Sequence, residues 1–319
     1  MESNDMLKNK YPYFLLFTLG VVVFVALFAS VVAPHDPYVT NLGAKFLPPS
    51  SEHFLGTDHL GRDVFSRLIY GAQMSLLTVM LISLLILAFS VSVGCIAGYR
   101  GGLFDSILMR ICDVFLTFPT FILALFFIGV LGVGLVNVII AIAFTHWAWY
   151  ARIVRSLVLE LKSKGYVMAA KSSGGTDFKI IIRHILPSVM VQILILSTLD
   201  LGHMLLHVAG LSFLGLGVQA PVAEWGVMIN DAAPYIQQHP ELMIYPGLCI
   251  FIIVAIFNSL GEVLRDKLDP SVVELKKGDK IEIRSAFSDF EEGLIVANKI
   301  ARIRLEQHVS YSDFAILYR

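Results

Sequence analysis

Apolar residues in this chain gather into long blocks rather than alternating with polar ones. Six blocks stand out, at 13–33, 75–98, 106–130, 133–150, 188–212 and 241–263. Each has about 18 residues or more, enough to cross a hydrocarbon core as a helix. The first block follows Lys8 and Lys10 and is followed by Pro34-His35-Asp36-Pro37 where a secretion signal would carry a small-residue cleavage site, so it reads as a retained signal-anchor helix. The stretch 34–72 is rich in turn formers (Pro34, Pro37, Pro48, Pro49, Gly56, Gly61) and has an amphipathic run at 63–70. It is expected to form an ordered external loop with a short interfacial helix. After Asp269-Pro270 the pattern breaks, and 275–319 is polar, mixed in charge and without a spanning block.

Composition agrees with a lipid solvent. Of 319 residues 56% are hydrophobic and 15% charged, against about 25% charged in a soluble domain, and mean hydropathy is +0.75. A net charge of −1 gives no sign of nucleic-acid binding, so the informative charges are those unevenly placed. Between the fourth and fifth blocks lie Arg152, Arg155, Lys162, Lys164, Lys171, Lys179 and Arg183 against Glu160 and Asp177, whereas 208–247 has no Lys or Arg. The positive-inside rule then puts 151–187 and both termini in the cytoplasm and 34–72 and 213–240 outside, as six spans require. The expected fold is an all-α polytopic membrane protein. It comprises an anchor helix and external loop (1–74), a core transmembrane domain (75–272) with a cytoplasmic loop at 151–187, and a short α/β-like tail (273–319). Cys95, Cys112 and Cys249 sit inside apolar blocks without paired spacing and read as packing residues.

The basic loop has its own internal pattern. Residues 156–171 show helical spacing, Ser172-Ser173-Gly174-Gly175 forms a sharp turn, and Thr176-Asp177 offers N-caps for a second helix ending before Pro187. Two short helices meeting at a glycine turn make a stiff projection, suited to carrying motion from a soluble motor into the membrane. The segment Met168-Ala169-Ala170-Lys171-Ser172-Ser173-Gly174, followed by His184-Ile185-Leu186-Pro187, resembles the EAA loop of ABC importer permeases, which docks into a groove on the ATPase. On that resemblance Ala169, Ala170, Gly174, Gly175 and Pro187 belong to the coupling element. Met168 stands where the family usually has Glu.

The runs LGTDHLGRDVFSRLIYGA (55–72), FLGLGVQAPVAEWGVMI (213–229) and GEVLRDKLDP (261–270) together resemble the C-type subunit of the peptide/nickel importer permeases, over roughly residues 10–272. The resemblance implies a type I importer permease in the cytoplasmic membrane. Its partners would be a homologous second permease, two cytoplasmic ATP-binding subunits and an extracytoplasmic solute-binding protein, with lipid around it and ATP used by the partners, and with no bound cofactor or catalytic residue of its own. The runs 145–152 and 199–217 are more similar to the nickel-transporting branch, which implies nickel or a nickel chelate as solute, with a dipeptide or oligopeptide as the alternative.

Ionisable groups at membrane depth are costly and mark function. Asp200, His203, Met204 and His207 fall within an arc of about 100° on the fifth block. Two imidazoles at i, i+4 with a nearby carboxylate are a ligand set for nickel, zinc or copper. These residues are therefore candidates to line a pathway, with Asp200, His203 and His207 as transient metal ligands and His146 a further pathway candidate. A membrane metalloenzyme built on them is the rival of a different class, although the chain has no HExxH. Glu224, Trp225 and Asp231, with no basic residue near in sequence, are candidates for an external entrance or a contact with the binding protein. Asp105, Arg110 and Asp113 read as an ion-pair cluster at the cytoplasmic end. The tail 286–319 reads as an amphipathic helix (291–306) and a β-like run (314–318). It resembles a stretch of superfamily I DNA helicases, but the chain has no GxxxxGK[ST] loop. The tail is expected to be a fusion or gene-junction product and poorly ordered.

Overall fold

The computed structural model describes residues 2–268, of which 2–12 by backbone alone, and a helical turn at 296–299. The chain divides into two compact units, 1–273 and 274–319. The turn at 296–299 lies within the amphipathic helix expected over 291–306. The rest of that helix, the β-like run and the expected poor order fall outside the described residues.

The first unit is all helical among the described residues. In chain order it contains α1 (Glu2–Leu27), α2 (Ala29–Val32), α3 (Val64–Arg100), α4 (Gly102–Thr117), α5 (Thr120–Leu131) and α6 (Leu135–Lys162). These are followed by α7 (Gly165–Ser172), α8 (Asp177–Ile180), α9 (Leu186–Phe213), α10 (Trp225–Ala232) and α11 (Glu241–Leu268). Helices occupy all six apolar blocks. Among the described residues three helices are long and apolar enough to span a membrane: α3, the continuous run Asp177–Phe213, and α11. The bent pair α4–α5 supplies a fourth if it is a single span, and Tyr13–Leu27 is a shorter apolar segment.

Four expectations are corrected by local chemistry. The run 63–70 is not a separate interfacial helix but the start of α3, because the Asp63 side chain caps that helix by accepting from Ser66 N at 2.8 Å. The third block is two helices meeting at 93° rather than one. Phe118 before Pro119 is held extended (φ −97°, ψ 142°), as the proline ring demands of its predecessor. The helical spacing at 156–171 does not give one helix, since α6 runs to Lys162 and Lys164 is extended before α7. Pro187 does not end a helix. A π-helical turn at Ile181–Ile185 precedes it, Pro187 falls in the first turn of α9, and the helix continues.

The core is organised around α3 packed along α6. Close approach is achieved by small residues on one face of α3, Gly94 and Gly98. A Cβ on Gly94 would lie 2.6 Å from the Ala151 carbonyl oxygen, and one on Gly98 would lie 2.8 Å from that of Arg155. Helix association in lipid lacks the ordinary hydrophobic driving force and relies on such backbone contact. Gly261 does the same for α11 against Leu199 of α9. Asp105 of α4 pairs with Arg155 of α6 (2.5 Å), and Asp113 pairs with Arg152. The expected cytoplasmic-end charges therefore join two helices instead of pairing along one. Large apolar side chains such as Leu84, Phe126 and Phe251 point outward, as lipid or subunit neighbours require.

Candidate translocation seam and coupling hairpin

Polar groups from α6 and α9 meet inside the bundle. Tyr150 donates its hydroxyl to Asp200 Oδ2 at 3.0 Å, and His203 Nδ1 lies 3.6 Å from Asp200 Oδ1. His146 Nδ1 is 3.0 Å from the Ile142 carbonyl oxygen. A carbonyl only accepts, so Nδ1 carries the proton and Nε2 keeps its lone pair. The His146 and His207 rings meet edge to face at 5.2 Å, and Phe121 of α5 stacks on His207 at 5.7 Å. His207 Nδ1 is buried with no hydrogen-bond partner among the described residues, a costly state that calls for an explanation.

The expected stripe is thus partly redistributed. His203 is 68% exposed at its side chain, on the side of α9 not covered by this chain. Met204 is fully buried in the apolar core of this chain. An arc of 100° is wide enough for one edge to face outward and the other to pack inward. Asp200, His203 and His207 do not form a gathered three-ligand site either: Asp200 and His203 approach to 3.6 Å, whereas His207 turns to His146 and Phe121. Among the described residues one group brings three ligand atoms together, His35, His53 and Asp63 in the segment before α3. Tyr150 is the seam residue that the sequence reading missed. Its signal was the i, i+4 spacing from His146, which puts both on one face of α6.

The hairpin of α7 and α8 is a built projection. Gly174 has φ +82°, a conformation open to glycine, and a Cβ on Gly175 would lie 2.8 Å from the Ala170 carbonyl oxygen. Thr176 makes no side-chain cap. Asp177 instead accepts from the Tyr99 hydroxyl at 3.0 Å, which ties the hairpin to the end of α3, and Lys162 at the end of α6 reaches the Tyr99 carbonyl. Val167 and Ile180 are buried beneath it, and Tyr166, Met168, Phe178 (76% exposed) and Ile182 present apolar surface. Ala169 is exposed and Ala170 half-buried beside them. If this hairpin transmits force, Gly175→Val should lower ATP-driven uptake by about tenfold or more while leaving subunit abundance in the membrane unchanged. Uptake assays beside quantitative immunoblots check this, the closest clash being with the Ala170 carbonyl at the turn and a lesser one with Ile180 beneath it.

The expected external entrance is corrected. Glu224 and Trp225 are 0% and 2% exposed. Glu224 caps α10 by accepting from Val227 N at 3.0 Å and takes a hydrogen bond from Ser75 Oγ at 3.1 Å. Burial pushes its carboxyl pKa up, opposed by these hydrogen bonds. The Trp225 indole donates to the Leu68 carbonyl (3.1 Å), and its ring fills the space left by Gly71. Asp231 is matched by Arg62 (3.0 Å) and Arg67 (3.5 Å), which also flank Asp58. Sequence proximity concealed these cations because Arg62 comes from the segment before α3 and Arg67 from its first turns.

Comparison with known proteins agrees with this architecture. The chain belongs to the family described as the binding-protein-dependent transport system inner membrane component, matched over residues 90–274, and residues 5–49 match the N-terminal TM domain of oligopeptide transport permease C. It is a membrane-embedded permease subunit of an ABC importer, a class whose members work with ATPase, second-permease and binding-protein partners in general. It is 51% identical over 258 residues to the nickel transport system permease protein NikC of Escherichia coli strain K12, covering 81% of this chain and 93% of that protein. It is 40% identical over 267 residues to the metal-staphylopine import system permease protein CntC of Staphylococcus aureus (84% and 92% covered). To the dipeptide transport system permease protein DppC of Alkalihalophilus pseudofirmus it is 39% identical over 265 residues (83% and 87%).

Proposed function

We propose that this subunit conducts nickel, as the ion or as a chelate, into the cell, with the α6–α9 seam forming one wall of the pathway. The observation that carries the reading is the meeting of His146, Tyr150, Asp200 and His207 on facing helices, with His203 beside them and the His207 Nδ1 unpartnered. Imidazole and carboxylate suit a borderline divalent cation, and ligands spread along a path suit a solute that must be released. His203, exposed beyond this chain, would face the second permease across the pathway. The relatives named for nickel and for a metal chelate support the choice of solute, and the relative named for dipeptides keeps peptide as the second reading. Uptake of radioactive nickel and of a labelled dipeptide by cells expressing the whole transporter distinguishes them. Nickel is expected to accumulate and the dipeptide not, and the reverse would replace this reading.

ATP hydrolysis falls to the two partner ATPases, which dock on the apolar face of the α7–α8 hairpin. The domain assignment is 1–74 for anchor and loop, 75–272 for the permease core and 273–319 for the tail. Both termini and the hairpin lie in the cytoplasm, and 34–72 and 213–240 outside, on the charge bias alone. Cysteine placed at Ser172 should react with an impermeant maleimide in inside-out vesicles, and cysteine placed at Ser51 in right-side-out cells.

A further inference from the structure

Three residues distant in sequence meet in the segment between α2 and α3. They are His35, His53 and Asp63, each offering one ligand atom within 4.8 Å of the others. The two imidazole rings lie 4.9 Å apart at 40°. Asp63 is buried and His53 nearly so, so this is a lined recess and not a surface scatter of charges. His53 Nδ1 is 2.9 Å from Asp63 Oδ1.

The surroundings orient Asp63 and His35 as a metal would require. Asp63 Oδ2 is occupied by Ser66, accepting from its backbone N (2.8 Å) and its hydroxyl (2.7 Å), which leaves Oδ1 turned to the histidines. His35 Nε2 lies 2.8 Å from the Glu52 carbonyl oxygen. Since that oxygen can only accept, Nε2 holds the proton and Nδ1 keeps its lone pair. Such outer hydrogen bonds fix the tautomer and aim of metal-bound imidazoles. The Ser66 hydroxyl also accepts from His35 N (3.1 Å), tying the start of the segment to the cap of α3.

We propose that His35, His53 and Asp63 form a binding site for a divalent transition-metal ion, separate from the α6–α9 seam. Two imidazoles and one carboxylate suit nickel, zinc or copper, whereas calcium and magnesium require mostly oxygen ligands. Three protein ligands leave coordination positions for water or a chelator, so the ion can arrive and leave. On binding, the metal takes the place of the proton shared between His53 Nδ1 and Asp63 Oδ1, and that proton moves to His53 Nε2. The bound ion clamps the segment at three points onto the start of α3. The assignment stands on coordination chemistry and does not depend on which solute the subunit transports.

Equilibrium dialysis of the detergent-purified whole transporter against Ni²⁺ or Zn²⁺, without nucleotide, tests it, together with the visible absorption of bound Co²⁺. The parent and a His203→Ala/His207→Ala variant should each hold one ion per copy of this chain at this site. A His35→Asn/His53→Gln variant should lose that equivalent or bind it at least tenfold more weakly. In the parent, saturating Ni²⁺ should protect His35 and His53 from an imidazole-modifying reagent, read by mass spectrometry, which needs no variant to fold. Full binding by the His35/His53 variant, or modification of both histidines unchanged by Ni²⁺, would overturn the proposal.

Discussion

A single methyl group on α3 is expected to damage the whole subunit. Gly94→Ala should lower the midpoint of thermal aggregation of the purified complex and reduce its yield from membranes, and Gly94→Ala/Gly98→Ala should abolish recovery. The added Cβ atoms would meet the Ala151 and Arg155 carbonyl oxygens and the Val154 and Val158 side chains below 3.0 Å, so α3 and α6 must separate. Overpacking of this kind costs about 1–3 kcal/mol per site, more where the obstacle is backbone. Gly129→Ala on α5, where a Cβ would meet nothing within 4 Å, is the matched control and should behave as the parent. Equal recovery of Gly94→Ala and Gly129→Ala would contradict the packing described for the core.

The second large effect lies in the charged network that joins the segment before α3 to α3 and α10. Arg62 is 1% exposed and holds Asp58 at 2.6 Å and Asp231 at 3.0 Å. Arg62→Ala leaves these carboxylates with Arg67 alone, which approaches them only to 3.6 Å and 3.5 Å. Breaking a buried ion pair by removing one partner costs about 3–5 kcal/mol. The expected outcome is faster proteolysis of the 34–63 segment and loss of its packing against α10, and mass-spectrometric mapping of cleavage sites in the intact complex measures it. Arg62→Lys should recover only part of the protection, because an ammonium cannot present the guanidinium fork to two carboxylates.

How far the sequence foretold this molecule depended on the range of the interaction. The helical blocks, the glycine turn of the hairpin and the helix carrying Asp200 and His207 were legible because periodicity and turn chemistry act over a few residues. The break at Phe118-Pro119 was also local, yet a run of apolar residues on both sides concealed it. The partners of Glu224, Trp225 and Asp231 were illegible, since Ser75, Leu68 and Arg62 lie 149, 157 and 169 residues away and only packing brings them near. Met204 shows the limit of helical-wheel reasoning. Spacing places it on an arc with His203 and His207, but the neighbouring helices decide which edge of that arc is core. The meeting of His35, His53 and Asp63 required a folded loop and left no trace in spacing.

The central claim is that the α6–α9 seam carries the ion. The direct measurement is ATP-driven nickel accumulation in vesicles holding the reconstituted transporter, with ATP hydrolysis followed in the same sample, for the parent, Asp200→Asn and His203→Ala/His207→Ala. The account predicts nickel accumulation reduced at least tenfold in both variants while assembly and binding-protein-stimulated ATP hydrolysis persist. Parental nickel accumulation by both variants would contradict it.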